Sequence, residues 1–94
     1  GVKSIGDEAF RNATSMRQVI IGEFVSTIGE RAFMNCSSLQ YIYCDNITPP
    51  LLEDSYTFAY GATLRRIYVP QESLYEYKES PMWEQYADDI YPYE

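Results

Sequence analysis

The strongest constraint on this chain is that it repeats itself. Residues 2–21 read VKSIGDEAFRNATSMRQVII, and residues 25–44 read VSTIGERAFMNCSSLQYIYC. The two align without a gap at an offset of 23 residues. Val2/Val25, Ile5/Ile28, Gly6/Gly29, Ala9/Ala32, Phe10/Phe33, Asn12/Asn35 and Ser15/Ser38 are identical, and Asp7/Glu30 and Met16/Leu39 are conservative. A looser third copy follows at an offset of 25, where Phe58, Leu64, Ile67 and Val69 answer Phe33, Leu39, Ile42 and Cys44. The two additional residues fall near Thr48-Pro49-Pro50-Leu51-Leu52, where adjacent prolines impose an extended path. A unit this short cannot bury its apolar face alone, so neighbouring copies must stack to form a core.

Each copy closes on one pattern: Met16-x-x-Val19-x-Ile21, Leu39-x-x-Ile42-x-Cys44 and Leu64-x-x-Ile67-x-Val69. The final alternation predicts a short strand with one buried face. Stacking then sets these strands side by side as a parallel ladder. Val25-x-x-Ile28 reads as a second short strand on the opposite wall. Between strands, Asp7-Glu8-Ala9-Phe10 and its equivalents at 30–33 and 55–58 predict one or two helical turns, with Asp7 and Ser55 as N-caps. The three phenylalanines are expected to point inward and stack. Gly6 and Gly29 are expected to supply a sharp turn with φ > 0.

Residues 71–94 suit a cap over the last apolar layer. Pro70 stops the last strand, and a short helix runs from Gln71 or Ser73 through Ser80. Pro81 breaks it and opens a second turn. Leu74, Tyr77, Trp83 and Ile90 are expected to cover the third copy, with Glu72, Glu76, Glu79, Glu84, Asp88 and Asp89 facing water. The predicted architecture is an α/β solenoid of about three repeats of 23–25 residues, with a parallel strand ladder, short helical turns and a C-terminal helical cap. Residues 1–70 form the repeats, and 71–94 the cap of the same domain.

The unit I-G-[DE]-x-A-F-x-N-[AC]-[TS]-S-[ML]-x-x-[VI] is similar to the BspA-like leucine-rich repeat of bacterial surface proteins, and its length lies within the leucine-rich-repeat range. Ile47-Thr48-Pro49-Pro50, Phe58, Ile67-Tyr68-Val69-Pro70, Ser73, Tyr77-Lys78 and Trp83 resemble the terminal unit of such proteins. The resemblance covers nearly the whole chain. It implies export to the surface of host-associated anaerobic bacteria, with adhesion or host-protein binding as the role. The chain opens mid-repeat at Val2, so the preceding strand is expected to be missing. That leaves apolar surface and an open edge around Val2–Ile5, prone to self-association. Gly1 in place of an initiating Met is expected to mark a processed or excised piece.

Composition narrows the function. The chain carries 14 acidic and 7 basic residues, a net charge of −7, and lacks the basic stripe of a nucleic-acid module. The charge is uneven: residues 1–69 hold 7 acidic and 6 basic residues, and residues 70–94 hold 7 and 1. The acidity therefore belongs to the cap. There is no histidine, which removes Ser-His-Asp and Cys-His catalysis and His-ligated zinc. Cys36 and Cys44 lack metal spacing and align with Ala13 and Ile21, so they read as buried thiols. Glu53-Asp54 and Asp88-Asp89 lack the spacing of a calcium loop. Asn12, Asn35 and Asn46 head glycosylation-type triplets but read as turn residues. No apolar run is long enough for a membrane span. The chain is expected to be no enzyme, with no cofactor, metal, nucleic-acid partner or membrane insertion of its own.

The alternation also marks what faces out. Gln18, Tyr41 and Arg66 form one row, and Ile20, Tyr43 and Tyr68 the next. Tyrosine beside arginine is the composition of a protein-binding patch, and the ligand is expected to be a protein or a glycan. The same rows have a structural reading, since stacked aromatic and β-branched side chains stabilise a ladder. On that alternative the chain is only the capped end of a longer array, with binding done upstream.

Overall fold

The computed structural model describes residues 2–58 and 64–93; Gly1, Glu94 and the 59–63 linker of the third copy lie outside the described residues. Among the described residues seven short strands follow in order: β1 (Ser4–Ile5), β2 (Gln18–Ile21), β3 (Thr27–Ile28), β4 (Tyr41–Cys44), β5 (Leu51–Leu52), β6 (Arg66–Val69) and β7 (Ile90–Pro92). Between β6 and β7 lie a 3-10 turn (Gln71–Ser73), the helix α1 (Leu74–Glu79) and a second 3-10 stretch (Glu84–Asp89). The strands form two parallel sheets, β1-β3-β5 and β2-β4-β6-β7. Their registers follow the sequence offsets: Ile5 pairs with Ile28 and Ile28 with Leu52, while Val19 pairs with Ile42 and Ile42 with Ile67. The result is an α/β repeat fold with parallel strands and few helices.

The core lies between the two sheets. Ile21, Ile42, Cys44, Ile67, Val69 and Ile90 enter it from one wall, and Ile28 and Leu52 from the other. Phe33, Leu39 and Phe58 fill the space along the third wall. The phenylalanines stack as expected, with ring centroids 5.2 Å apart for Phe10–Phe33 and 5.4 Å for Phe33–Phe58. Phe10 stays 41% exposed.

The third wall differs from expectation. Residues 7–12 and 30–35 are consecutive turns, not helix. Glu8, Asn12, Arg31 and Asn35 all have φ between 55° and 66°. A left-handed residue every fourth position cannot continue an α-helix. It turns every second N–H, at Glu8, Phe10 and Asn12, toward the next layer instead. Glu8, Phe10 and Asn12 donate to the carbonyls of Glu30, Ala32 and Met34, and Phe33 donates to Thr57, at 2.8–3.0 Å. Asp7 caps no helix of its own: its Oδ1 accepts the Glu30 N–H at 2.8 Å. The amide of Asn35 donates to Asn12 Oδ1 at 2.8 Å, so the aligned asparagines form a rung between layers.

Gly6 and Gly29 are not in the left-handed region; the positive φ values sit two residues later, at Glu8 and Arg31. Their shared glycine is a matter of clearance. A Cβ on Gly29 would lie 2.4 Å from Asp7 Oδ1 and 2.5 Å from the Asp7 nitrogen, whereas one on Gly6 meets nothing within 4 Å.

The C-terminal segment covers the last layer largely as its sequence suggests. Tyr77, Trp83 and Ile90 are buried, and Leu74 packs half-buried against them. The cap also bonds to the proline-containing loop. The Tyr77 hydroxyl donates to the Asn46 carbonyl and Trp83 Nε1 to the Pro50 carbonyl, both at 2.8 Å, and Ser73 Oγ donates to the Ile47 carbonyl. Two features depart from expectation. Residues 90–92 form a fourth strand on the β2-β4-β6 sheet, and Asp89 is half-buried.

The glycine clearance gives a paired test. Gly29→Ala is expected to cost about 2 kcal/mol or more, because the Asp7 nitrogen and the Gly6 carbonyl carbon behind the Asp7 side chain are backbone and cannot swing away, while Gly6→Ala stays within about 0.5 kcal/mol. Urea unfolding of the two variants measures the difference.

Candidate concave binding face

The outer face of the four-stranded sheet carries every residue singled out from sequence. The register sets Gln18 beside Tyr41 and Tyr41 beside Arg66, and Ile20 beside Tyr43 and Tyr43 beside Tyr68. Gln18, Ile20 and Arg66 are exposed, and the three tyrosines are half-buried. Tyr43 and Tyr68 stack on each other. The Tyr43 and Tyr68 rings lie 5.4 Å apart at an interplanar angle of 12°.

The structure adds two residues to this face. Tyr91 pairs in register with Tyr68, extending the row by one strand. Tyr93 folds across the row, 6.0 Å from Tyr68 and 6.4 Å from Tyr43 by ring centroid. Its hydroxyl donates to Asp45 Oδ1 at 3.1 Å, and Gln71 Nε2 donates to its carbonyl at 2.6 Å. The Arg66 guanidinium lies 4.4 Å above the Tyr91 ring and donates to the Tyr68 hydroxyl at 3.3 Å. A cation held on an aromatic face is oriented rather than free to sweep solvent. A signal for Tyr91 does exist in the sequence: Ile67-Tyr68 recurs as Ile90-Tyr91 at the offset of 23. Tyr93 has no such signal, because its place depends on the chain turning back over the sheet.

Burial pushes the Cys44 thiol well above its ordinary range, with Asp45 adding to the effect, and burial likewise raises Cys36. Such thiols are poor nucleophiles. Burial also raises Tyr77, Tyr86 and Tyr93, the last helped by its bond to Asp45. Of the triplet asparagines, Asn46 is buried with its amide donating to the Val25 carbonyl at 2.7 Å. Asn12 and Asn35 occupy the left-handed turn positions. Among the described residues, no three His, Cys, Asp or Glu side chains stand where they could hold a metal ion, and no helix is long and apolar enough to cross a membrane.

Parallel strands stacked at a fixed sequence offset, with a patterned outer face, define a repeat protein of the leucine-rich type. The family described as BspA type leucine rich repeat region (6 copies) matches residues 1–83, and the chain belongs to that family. It is a family of generally non-enzymatic repeat modules, often used in protein binding or adhesion and generally found in bacterial surface proteins. Among curated proteins, none matches the chain.

The buried thiols and phenols set an alkaline limit. Their neutral forms are favoured in the folded chain, so the unfolded chain releases those protons first as pH rises. Stability is expected to be unchanged up to about pH 8, then to decline through the ordinary thiol range near 9 and the tyrosine range near 10. Urea midpoints should fall in that order from about pH 7 to about pH 11. A constant midpoint would contradict the burial of these groups.

Proposed function

We propose that the chain is a non-catalytic binding module of a cell-surface protein, and that its concave sheet contacts a protein ligand on a host surface or matrix. In this reading residues 1–70 are a solenoid of about three repeats, and residues 71–94 are its cap. The contact residues are Gln18, Ile20, Tyr41, Tyr43, Arg66 and Tyr68, with Tyr91 and Tyr93 added from the C-terminal strand.

The observation that carries this reading is the stacking of Tyr43, Tyr68 and Tyr93, whose planes lie within 12–21° of one another. Ring faces turned onto each other are not available to lie flat on a sugar. What remains for a partner is ring edges, hydroxyls and an oriented guanidinium, which suit hydrogen bonding to a polypeptide. A glycan is the second choice on the same ground.

One further reading has support of its own. Ser73, Tyr77, Trp83 and Tyr93 all spend their polar atoms on the 45–50 loop, which suits a segment whose task is to close an array. Binding would then be done by repeats upstream.

A surface panel of matrix proteins and glycans separates these. The double variant Tyr43→Ala/Tyr68→Ala is expected to lose protein binding by about 100-fold or more while still unfolding cooperatively. Undiminished binding by that variant would remove the concave face from the account. A wild-type chain that binds nothing on the panel favours the closing role.

A further inference from the structure

Arg66 is exposed yet held in place on the outer face of the four-stranded sheet. Its guanidinium lies 4.4 Å above the Tyr91 ring and donates from Nη1 to the Tyr68 hydroxyl at 3.3 Å. The register puts Tyr41 on its other side. Among the described residues it forms no ion pair. Asp89 stands beside it by extension of the β6–β7 register, but is half-buried and makes no ion pair with it. With Nη1 turned to Tyr68, the Nε–Nη2 edge is the fork that can take both oxygens of a carboxylate. The Tyr68 hydroxyl accepts from Arg66 and so keeps its own proton to donate. Along the same row the Tyr41 hydroxyl and the Gln18 amide are donors too, at strand spacings of about 4.8 Å. The neighbouring row, Ile20, Tyr43, Tyr68 and Tyr91, is apolar and aromatic.

We infer that the Gln18–Tyr41–Arg66 row is a carboxylate-binding row, and that the ligand of this face is an acidic polypeptide. One Asp or Glu side chain of that ligand sits on Arg66, and an apolar or aromatic neighbour lies on the Tyr43–Tyr68–Tyr91 row. This inference rests on the ligand-binding reading above and gives its partner a chemistry. Complementarity selects the charge: the row offers only donors, and its cation is oriented by two aromatic side chains rather than neutralised by a carboxylate. An oriented guanidinium loses little freedom when a carboxylate docks, which is where its affinity comes from. The stacking selects the polymer. An acidic sugar carries the same carboxylate, but Tyr43, Tyr68 and Tyr93 turn their ring faces onto one another rather than outward. The chain as a whole sets a demanding background. Its net charge is −7, so long-range attraction favours a basic partner, and an acidic one binds only through a local site.

Peptides of defined charge test this by NMR titration of the 94-residue chain. The probes are a blocked peptide of alternating Glu and Tyr, the same peptide with Gln for Glu, the same with Lys for Glu, and a hyaluronan tetrasaccharide. The Glu peptide is expected to bind at least about tenfold more tightly than the other three, and to shift the Arg66 Nε–H and the Tyr41 and Tyr68 amides. Arg66→Gln is expected to weaken the Glu peptide by about tenfold and to leave the Gln peptide unchanged. Arg65→Gln removes the same charge one residue away and is expected to change the Glu peptide by less than about threefold. Both arginines are exposed, so both variants keep the fold. A Gln or Lys peptide that binds as tightly overturns the inference. So does a tetrasaccharide that binds more tightly, or an Arg65→Gln that costs as much as Arg66→Gln. If the Glu and Gln peptides bind alike and Tyr43→Ala/Tyr68→Ala abolishes both, the face binds a polypeptide but not through a carboxylate. If no peptide shifts the face, the carboxylate row is wrong, and the face itself is judged by the matrix-protein panel alone.

Discussion

Everything in this fold depends on backbone hydrogen bonds that run from one layer to the next. Three walls share them. On the four-stranded sheet the Asp45 N–H reaches the Ile21 carbonyl; on the three-stranded sheet the Gly29 N–H reaches Ile5; along the turns the Phe33 N–H reaches Thr57. No single layer could hold its two- to four-residue strands in isolation. Each needs the next to satisfy its polar backbone and cover its apolar side chains. That mutual dependence sets the rest: the glycine at 29, where backbone meets backbone; the aromatic stack through Phe10, Phe33 and Phe58; and the rows of like residues on the outer face.

A stack of this kind must cover its last layer and satisfy that layer's polar backbone. At the C-terminal end the loop through Pro49 and Pro50 presents carbonyls that no further layer bonds. Ser73, Tyr77 and Trp83 supply the donors, while the rings of Trp83 and Tyr86 cover Phe58. Glu72, Glu76, Glu79, Glu84 and Asp88 are exposed and lie outside this packing. The charge imbalance of the sequence thus has a spatial meaning: the acidity sits on the segment that covers the last layer.

Much of this was legible in the sequence because a repeat is self-reporting. The alternation Val19-x-Ile21, Ile42-x-Cys44 and Ile67-x-Val69 gives strand, buried face and register together, and so yields the outward rows as well. Two things were not legible. Local propensity favours a helix at Asp7-Glu8-Ala9-Phe10, but inter-layer bonds repay left-handed backbone at Glu8 and Arg31 and produce stacked turns instead. Long-range packing also decides the tail. Trp83 and Ile90 are recognisable as apolar anchors, but the return of residues 90–93 to the concave sheet, with Tyr93 crossing the tyrosine row, is a tertiary result. The glycines teach a related lesson: Gly29 is needed for what lies above it, not for its own φ.

The dependence of the fold on bonds between layers is tested most directly by native-state hydrogen exchange at the amides of Asp45, Gly29 and Phe33. Each donates across a layer boundary on a different wall. If the three walls form one cooperative unit, these amides exchange with the same protection free energy, equal to that of global unfolding. A Phe33 amide that exchanges orders of magnitude faster than the other two would show the turn wall opening on its own, and would contradict the account.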